Sequence, residues 1–526
     1  MRIRSFAAAA VLAAGIGAAP GFGVAPAAAA TGYYTYHFDN YRLGWNAKET
    51  TLTAASVHSH LRLVRLLATD SVVYAQPLYA PGIVVNGVKH NLAILATEND
   101  SVYAYDADTG ARVWVRAFAR PSAGVTAVSP SSVNNCNQIT PTIGISSTPV
   151  IDPTTNTLYV LPKLQVTRGN TTTYYHILHA ISLSNGADRV APVAVHATVK
   201  LGDGTTQSFD DQWQQNRPGL LLSNGMVYAG FGSSCDSLGS TVHGWIFAWN
   251  AKTLGLAAVL NTATSSASSQ LGAVWQATYA LAADSTGNVY FATGNGSFDA
   301  DSGGSDFGES IVKTTPNLVV SDYFSPFDES NLSNGDQDMG SVGVMLLPNF
   351  SGSNFHLAVS GIKSGVMYLL DRDNMGKFNA SADRSLQDVT IEKSYDSLYG
   401  GPAYYSTFVY WGGGNQPMGA YKLQLGTHPS LTLTSQTSNS FPGEGGEIPA
   451  VSSNGTVPGS AVVWATTRGN PIYLYAYDAR NLSTTLYSGE VGQWDASGGA
   501  FLTPTVADGH VFVGGSGYSV AEFGVN

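Results

Sequence analysis

The stretch "GNGSFDADSGGSDFGES", which begins at Gly294, carries Asp299, Asp301, Asp306 and Glu309 among glycines that let the backbone turn several oxygens toward one point. Hard cations such as calcium are held by carboxylate and carbonyl oxygens, so these four side chains are expected as metal ligands. The spacing is not that of an EF-hand, and a solvated acidic loop is the competing reading. A second set suits an organic ligand. Arg217 in "QNRPGLL" and Lys363 in "SGIKSGVMY" are cations fit for a carboxylate or phosphate, and Asp338 in "GDQDMGS" either joins them or pairs with Arg217. Trp275 and Gln276 in "VWQATYA" place an aromatic plane beside an amide, which suits a flat ring or a sugar, with a core Trp as the alternative. Gln76 of "AQPLYAPGIVV" and Glu98 and Asn99 of "TENDS" complete the candidates.

Several chemistries are excluded by pattern. Cys136 and Cys235 are the two cysteines of the chain, too far apart for a zinc motif, and neither C-x-x-C nor C-x-x-C-H occurs. They form either one bridge or two free thiols. "GGSGYS" and "GNGSFD" lack the strand-to-helix context of a nucleophile elbow or a phosphate loop. His176 and His179 fall on opposite faces of a strand and do not share a metal.

The elements that must position these residues repeat. A Pro-led strand, a Gly turn, a second strand with a V-Y pattern and a third strand ending in an acidic turn recur eight times, starting at "AQPLYAPGIVV", "SSTPVIDPTTNTLYVLP", "NRPGLLLSNGMVYAGFG", "ATYALAADSTGNVYFATGN", "GSVGVMLLPN", "GPAYYSTFVYWGG", "EIPAVSSNG" and "FLTPTVADGHVFVGG". The starts lie roughly fifty to seventy residues apart, a period that fits a four-stranded blade with loops. The class is therefore all-β: a single eight-bladed β-propeller of four-stranded antiparallel blades. Turns such as "SNG" and "ADG" place Gly where positive φ is needed between two alternating strands. In "YAYDADTGARVW" an Asp and Gly turn precedes Trp114, whose indole is expected to lie across the joint with the next blade. The last repeat supplies three strands and "LRLVRLLAT", from Leu61, has no partner of its own, so pairing of the N-terminal and C-terminal strands should close the ring.

Strand alternation around such a ring sorts the loops onto two faces. The starts of the innermost strands and the loops after each second strand share one face, which collects Gln76, the 98–100 loop, Arg217, Cys235, Asp236, Gln276, the 294–309 loop and Lys363. Cys136 falls on the same face, so a bridge to Cys235 would clamp its mouth between blades two and three.

The bulk composition agrees. With 44% hydrophobic and 12% charged residues, 58 Gly and 27 Tyr, the 526-residue chain can bury a large core of strands and turns. A net charge of -11 without a Lys and Arg cluster argues against nucleic acid and anionic membranes as partners. Residues 1–30 have the form of a secretory signal peptide, residues 31–56 read as an N-terminal extension and residues 57–526 as the propeller. No later segment is apolar enough to span a bilayer, so a secreted or periplasmic monomer is expected.

"YAYDADTGARVW", "TENDSVYAYDA", "GVMYLLDRDNMG" and "PTVADGHVFVGG" resemble the repeats of pyrroloquinoline-quinone (PQQ)-type propellers, the superfamily of quinoprotein alcohol dehydrogenases, over nearly all of residues 57–526. The same repeat also builds non-enzymatic scaffolds. In the dehydrogenases the resemblance implies a quinone held between a Trp and a disulfide of adjacent Cys, a calcium ion held by Glu, Asn and Asp, and an Asp as base. This chain has no adjacent Cys pair and no haem motif. The leading expectation is thus a ligand or partner bound at the channel mouth, whether a small molecule, a carbohydrate or a protein. A PQQ- and calcium-dependent dehydrogenase of alcohols or sugars, and a non-catalytic protein-interaction scaffold, are the alternatives.

Overall fold

The computed structural model describes residues 31–236, 242–392, 397–493, 501–515 and 517–525. The expected signal peptide lies outside the described residues. Among those residues, eight antiparallel sheets form the blades of a propeller. Blade one is Leu78–Val85, Val88–Ala96, Ser101–Asp106 and Arg112–Ala117, paired in that order. The innermost strands of the other blades contain Ile151, Leu222, Ala283, Leu346, Tyr404, Val451 and Val506. Trp114 bonds Leu183 O of the next blade at 2.8 Å through its indole N–H, as its place after the turn predicts.

Closure also follows the sequence. Arg62–Ala68 pairs antiparallel with Ser519–Gly524, with Arg62 opposite Gly524 and Ala68 opposite Ser519, and so supplies the fourth strand of the last blade. The unpaired backbone of the "LRLVRLLAT" run needed a sheet edge, and the edge left by the C-terminal repeat needed covering; Leu67 turns inward while Leu63 and Leu66 stay exposed.

The 31–56 extension does not stand apart from the blades. Tyr33 pairs with Tyr79 of blade one, and the carbonyls of Tyr34, Tyr41, Leu43 and Gly44 accept from the N–H groups of Ile151, Leu346, Tyr404 and Val451. Asn40 takes both blade three, through Leu222 O, and blade four, through Ala283 N, and Asn46 Nδ2 reaches Val506 O. One short segment therefore touches the innermost strand of all eight blades. Its side chains fill the axis: Tyr36, His37 and Tyr279 meet with ring centroids 5.0–5.2 Å apart. Arg42, with no solvent exposure, donates to Leu281 O, Thr35 Oγ1, Tyr36 O and Asp39 O. The channel is plugged beneath its mouth.

One buried acid weakens this ring at high pH. Glu447 lies just ahead of the innermost strand of blade seven at 1% exposure; no side chain bonds its carboxyl, and burial pushes its pKa up to about 8 against a smaller pull from the backbone N–H groups of Gly412 and Glu447 itself. The unfolded chain ionises this group near its ordinary value while the folded chain resists, so its contribution to stability is lost as pH rises from about 4.5 to about 8. Glu447→Gln should raise the unfolding free energy by about 5 kcal/mol at pH 9 and by about 1 kcal/mol or less at pH 5, measured by denaturant titration at both values. Equal effects at the two values would refute the assignment.

Candidate functional site

At the mouth lies a pocket of about 390 Å³. Its deeper wall is made by Arg217, Asp338, Lys363 and Tyr399, each at most 6% exposed, with the half-buried Trp275 beside them. Its rim carries Asn137, Gln138, Ser233, Asp236, Asp336 and Glu444. Cys136 and Cys235 are joined as a disulfide across 99 residues of sequence, and Cys235 lines the pocket, so the bridge forms part of its wall. Such a bond persists in an oxidising compartment. Among the described residues no helix is long and apolar enough to cross a membrane.

Three aromatic rings form the floor, each with a cation. Trp275 and Tyr399 meet edge to face at 5.6 Å, and Tyr399 and Phe501 at 5.3 Å. The Arg217 guanidinium lies 4.9 Å from the Trp275 ring centre, the Lys363 ammonium 5.8 Å from that of Tyr399, and the Arg468 guanidinium 4.0 Å from that of Phe501. The cations meet the negative faces of the rings, which helps to hold these long side chains in place. This floor packs on the axial plug, since Tyr36, Tyr279, Tyr399 and Phe501 belong to one apolar cluster.

An acidic corner stands against that floor. The Gly294 carbonyl accepts from Glu309 N at 3.1 Å, and a Cβ added to Gly294 would lie 3.2 Å from Trp275 Nε1 and 3.4 Å from Asp338 Cγ. A larger residue here would press on the indole of Trp275. Glu309 is fully buried; its Oε2 accepts from Met339 N at 2.7 Å and its Oε1 has no partner. Asp338 Oδ1 and Asn295 Oδ1 are likewise buried and unpartnered. Burial pushes both carboxyls above the usual carboxylate range, and the charge of Asp338 adds to the rise at Glu309, while Lys363 draws Asp338 down. Beside them Asp336 accepts from Asn295 Nδ2 at 2.9 Å and from Lys363 Nζ at 3.0 Å.

The backbone here is strained. Outside glycine, a positive φ costs on the order of 1–2 kcal/mol per residue. Cys235, Asp236, Glu309 and Asp336 all have it, and so do Gln276, Ala277 and Thr278 in succession after Trp275. Strain of this kind persists where the surroundings over-determine it, and it gathers at functional sites.

The sequence candidates divide accordingly. Arg217, Trp275, Asp338 and Lys363 come together in the pocket. Gln276 does not line it: its amide donates to Tyr279 O and accepts from Ala292 N, which locks the strained turn that aims Trp275. Gln76 is taken up by the plug, through His37 N, Tyr33 Oη and Pro504 O. Glu98 is buried one layer beneath Arg217, where Gly144 N and Ser146 Oγ bind one oxygen and burial raises its pKa to about 7. Asn99 turns away to Asp70.

The four expected metal ligands are not brought to one point. Both oxygens of Asp306 are bonded, to Ser265 N at 2.8 Å and Ser269 Oγ at 2.5 Å, and Asp299 accepts from Asp306 N. Asp301 is exposed, and Glu309 is the member that stands beside Asp338. Among the described residues no three His, Cys, Asp or Glu side chains gather as a metal site. Tyr399, Asn137, Gln138, Asp336 and Glu444 were not singled out from sequence. Asn137 and Gln138 follow Cys136 directly, so the disulfide was the signal that could have found them.

No family model matches the sequence, and no curated protein matches it. Solved structures do match in shape. The quinohemoprotein alcohol dehydrogenase of Comamonas testosteroni superposes with a TM-score of 0.64 at 16% identity, over 94% of this chain and 80% of that one. The quinohemoprotein alcohol dehydrogenase ADHIIG of Pseudomonas putida HK5 gives 0.60 at 14%, over 94% and 80%. A europium-containing methanol dehydrogenase gives 0.59 at 12%, over 94% and 98%. The chain has the eight-bladed propeller fold of the quinoprotein alcohol dehydrogenases.

Proposed function

We propose that the pocket holds pyrroloquinoline quinone with a calcium ion and that the exported protein is a dehydrogenase of alcohols or sugars. The observation that carries this reading is the set of buried, unpartnered oxygens on Glu309, Asn295 and Asp338, of which Asp338 lines the pocket with Trp275. Glu, Asn and Asp form the donor set that a hard cation takes, and buried oxygens without partners are costly unless something fills them. Glu309 and Asn295, rather than the acidic loop tip, would hold the ion, and Asp338 would stand beside it as the base. Trp275 would hold the quinone ring, with the Cys136–Cys235 bridge on the pocket wall in the part of the adjacent-Cys disulfide. Arg217 and Lys363 would meet its carboxylates. Bound together, quinone and ion supply a two-electron acceptor that no side chain provides.

Arg217, Lys363 and Arg468 put three positive charges along the pocket and its floor, and Asp236, Asp336, Asp338 and Glu444 line it with four carboxyls, of which burial pushes Asp236 and Asp338 above the usual range. A divalent cation entering with a polycarboxylate would ease the repulsion between its carboxylates and those of the rim. Asp338, whose Oδ1 is buried without a partner, would accept the hydroxyl proton of a substrate. Lys363 fixes Asp336 next to it.

Retention of a ligand without turnover is the second reading. It is favoured by Arg217, whose guanidinium lies over the Trp275 ring where a stacked ligand would need it to move. Reduction of an artificial dye by protein mixed with quinone and calcium, on a panel of alcohols and sugars, separates the two. Turnover supports the dehydrogenase, and saturable quinone binding without dye reduction supports the binder.

A further inference from the structure

The pocket wall is rich in groups that need hydrogen-bond donors from a ligand. Ala273 is the one aliphatic side chain among its lining residues. The rim offers the carboxylates of Asp236, Asp336 and Glu444, the amides of Asn137 and Gln138 and the hydroxyl of Ser233. An ionised carboxylate accepts and never donates, and it has room for about four hydrogen bonds. Ser233 Oγ already donates to Asp236, and Asn295 and Lys363 donate to Asp336, so each retains lone pairs toward the opening.

We infer that this rim selects a polyhydroxylated substrate, a sugar or acyclic polyol, and disfavours simple alkanols; for turnover the inference rests on the dehydrogenase reading above. An alkanol brings one hydroxyl, and its alkyl tail strips water from amides and carboxylates without replacing the lost bonds. A polyol replaces them. A polyamine is equally rich in donors but carries positive charge toward Arg217 and Lys363. Sites built to bond a hydroxyl reject analogues lacking it by large factors, so the expected preference in kcat/KM is about 100-fold or more.

The test has two arms, both on the full mature chain in calcium. Without quinone, calorimetry and thermal shift are recorded with D-glucose, D-sorbitol, ethanol, 1-butanol and spermidine, on the wild type and on Asp236→Asn and Glu444→Gln, both at the exposed rim. With quinone, kcat/KM is measured by dye reduction on the same panel. The inference expects saturable binding of glucose or sorbitol, weakened about tenfold by either substitution, and a polyol preference of about 100-fold in turnover. Stronger binding of spermidine, preference for an alkanol, or no saturable polyol binding would each overturn it. Polyol binding without quinone uptake supports the rim assignment and removes the dehydrogenase reading, whereas quinone uptake with alkanol preference does the reverse.

Discussion

Asp338→Asn is expected to lower dye reduction by the quinone-loaded protein about 1000-fold, within the range of general-base contributions. The carboxyl is 4% exposed, one oxygen has no partner, and the other groups of the corner are arranged around it. An amide of the same shape keeps the packing and removes the proton acceptor. The comparison variant is Asp306→Asn. Its carboxylate is spent on Ser265 and Ser269, so it should lose about 1–2 kcal/mol of stability and change turnover less than about threefold. If Asp306→Asn removed activity and Asp338→Asn spared it, the acidic loop rather than the corner would be the site.

The second large effect concerns the plug. Arg42→Ala should destabilise the protein by about 4 kcal/mol, read as a lower denaturant midpoint at an unchanged slope. The guanidinium is wholly buried and stays charged at neutral pH, although burial lowers its pKa to about 10. It satisfies three backbone carbonyls and the Thr35 hydroxyl in a segment that touches all eight blades, and truncation leaves those acceptors unpaired around a void. A loss below about 1 kcal/mol would mean that the arc rests on the ring without stabilising it.

The blades were legible because their signals are local. Turn glycines, V-Y alternation and Pro-led starts act within a dozen residues, and "LRLVRLLAT" could be paired with the last repeat because each left an edge unmatched. The plug was not legible. "YYTYHFDNYRLGWN" has no strand period, and its form comes from carbonyls and side chains that reach eight separate blades. That omission explains why Gln76 was misplaced: a residue at the start of an inner strand faces the axis, and the axis there is occupied by His37 and Tyr33.

The site was half legible for related reasons. Arg217, Trp275, Asp338 and Lys363 sit at strand starts and turns whose face follows from alternation, and they do converge. Gln276 has the right place but the left-handed turn of 276–278 points its amide inward, and nothing in "VWQATYA" announces three successive positive φ values. The loop at 294–309 has the composition of a cation site, yet serines distant in sequence bind its central carboxylate. Composition gave the charge of that loop and not its partners.

The most direct measurement is a calorimetric titration of pyrroloquinoline quinone into the protein, in calcium and in excess chelator, with Trp275→Ala as a third sample. Saturable heat at one equivalent in calcium, lost on chelation and weakened at least tenfold by the Trp275 substitution, is the predicted result. Absence of saturable heat in calcium, or binding indifferent to both chelator and Trp275, would contradict a quinone and ion held together at this mouth.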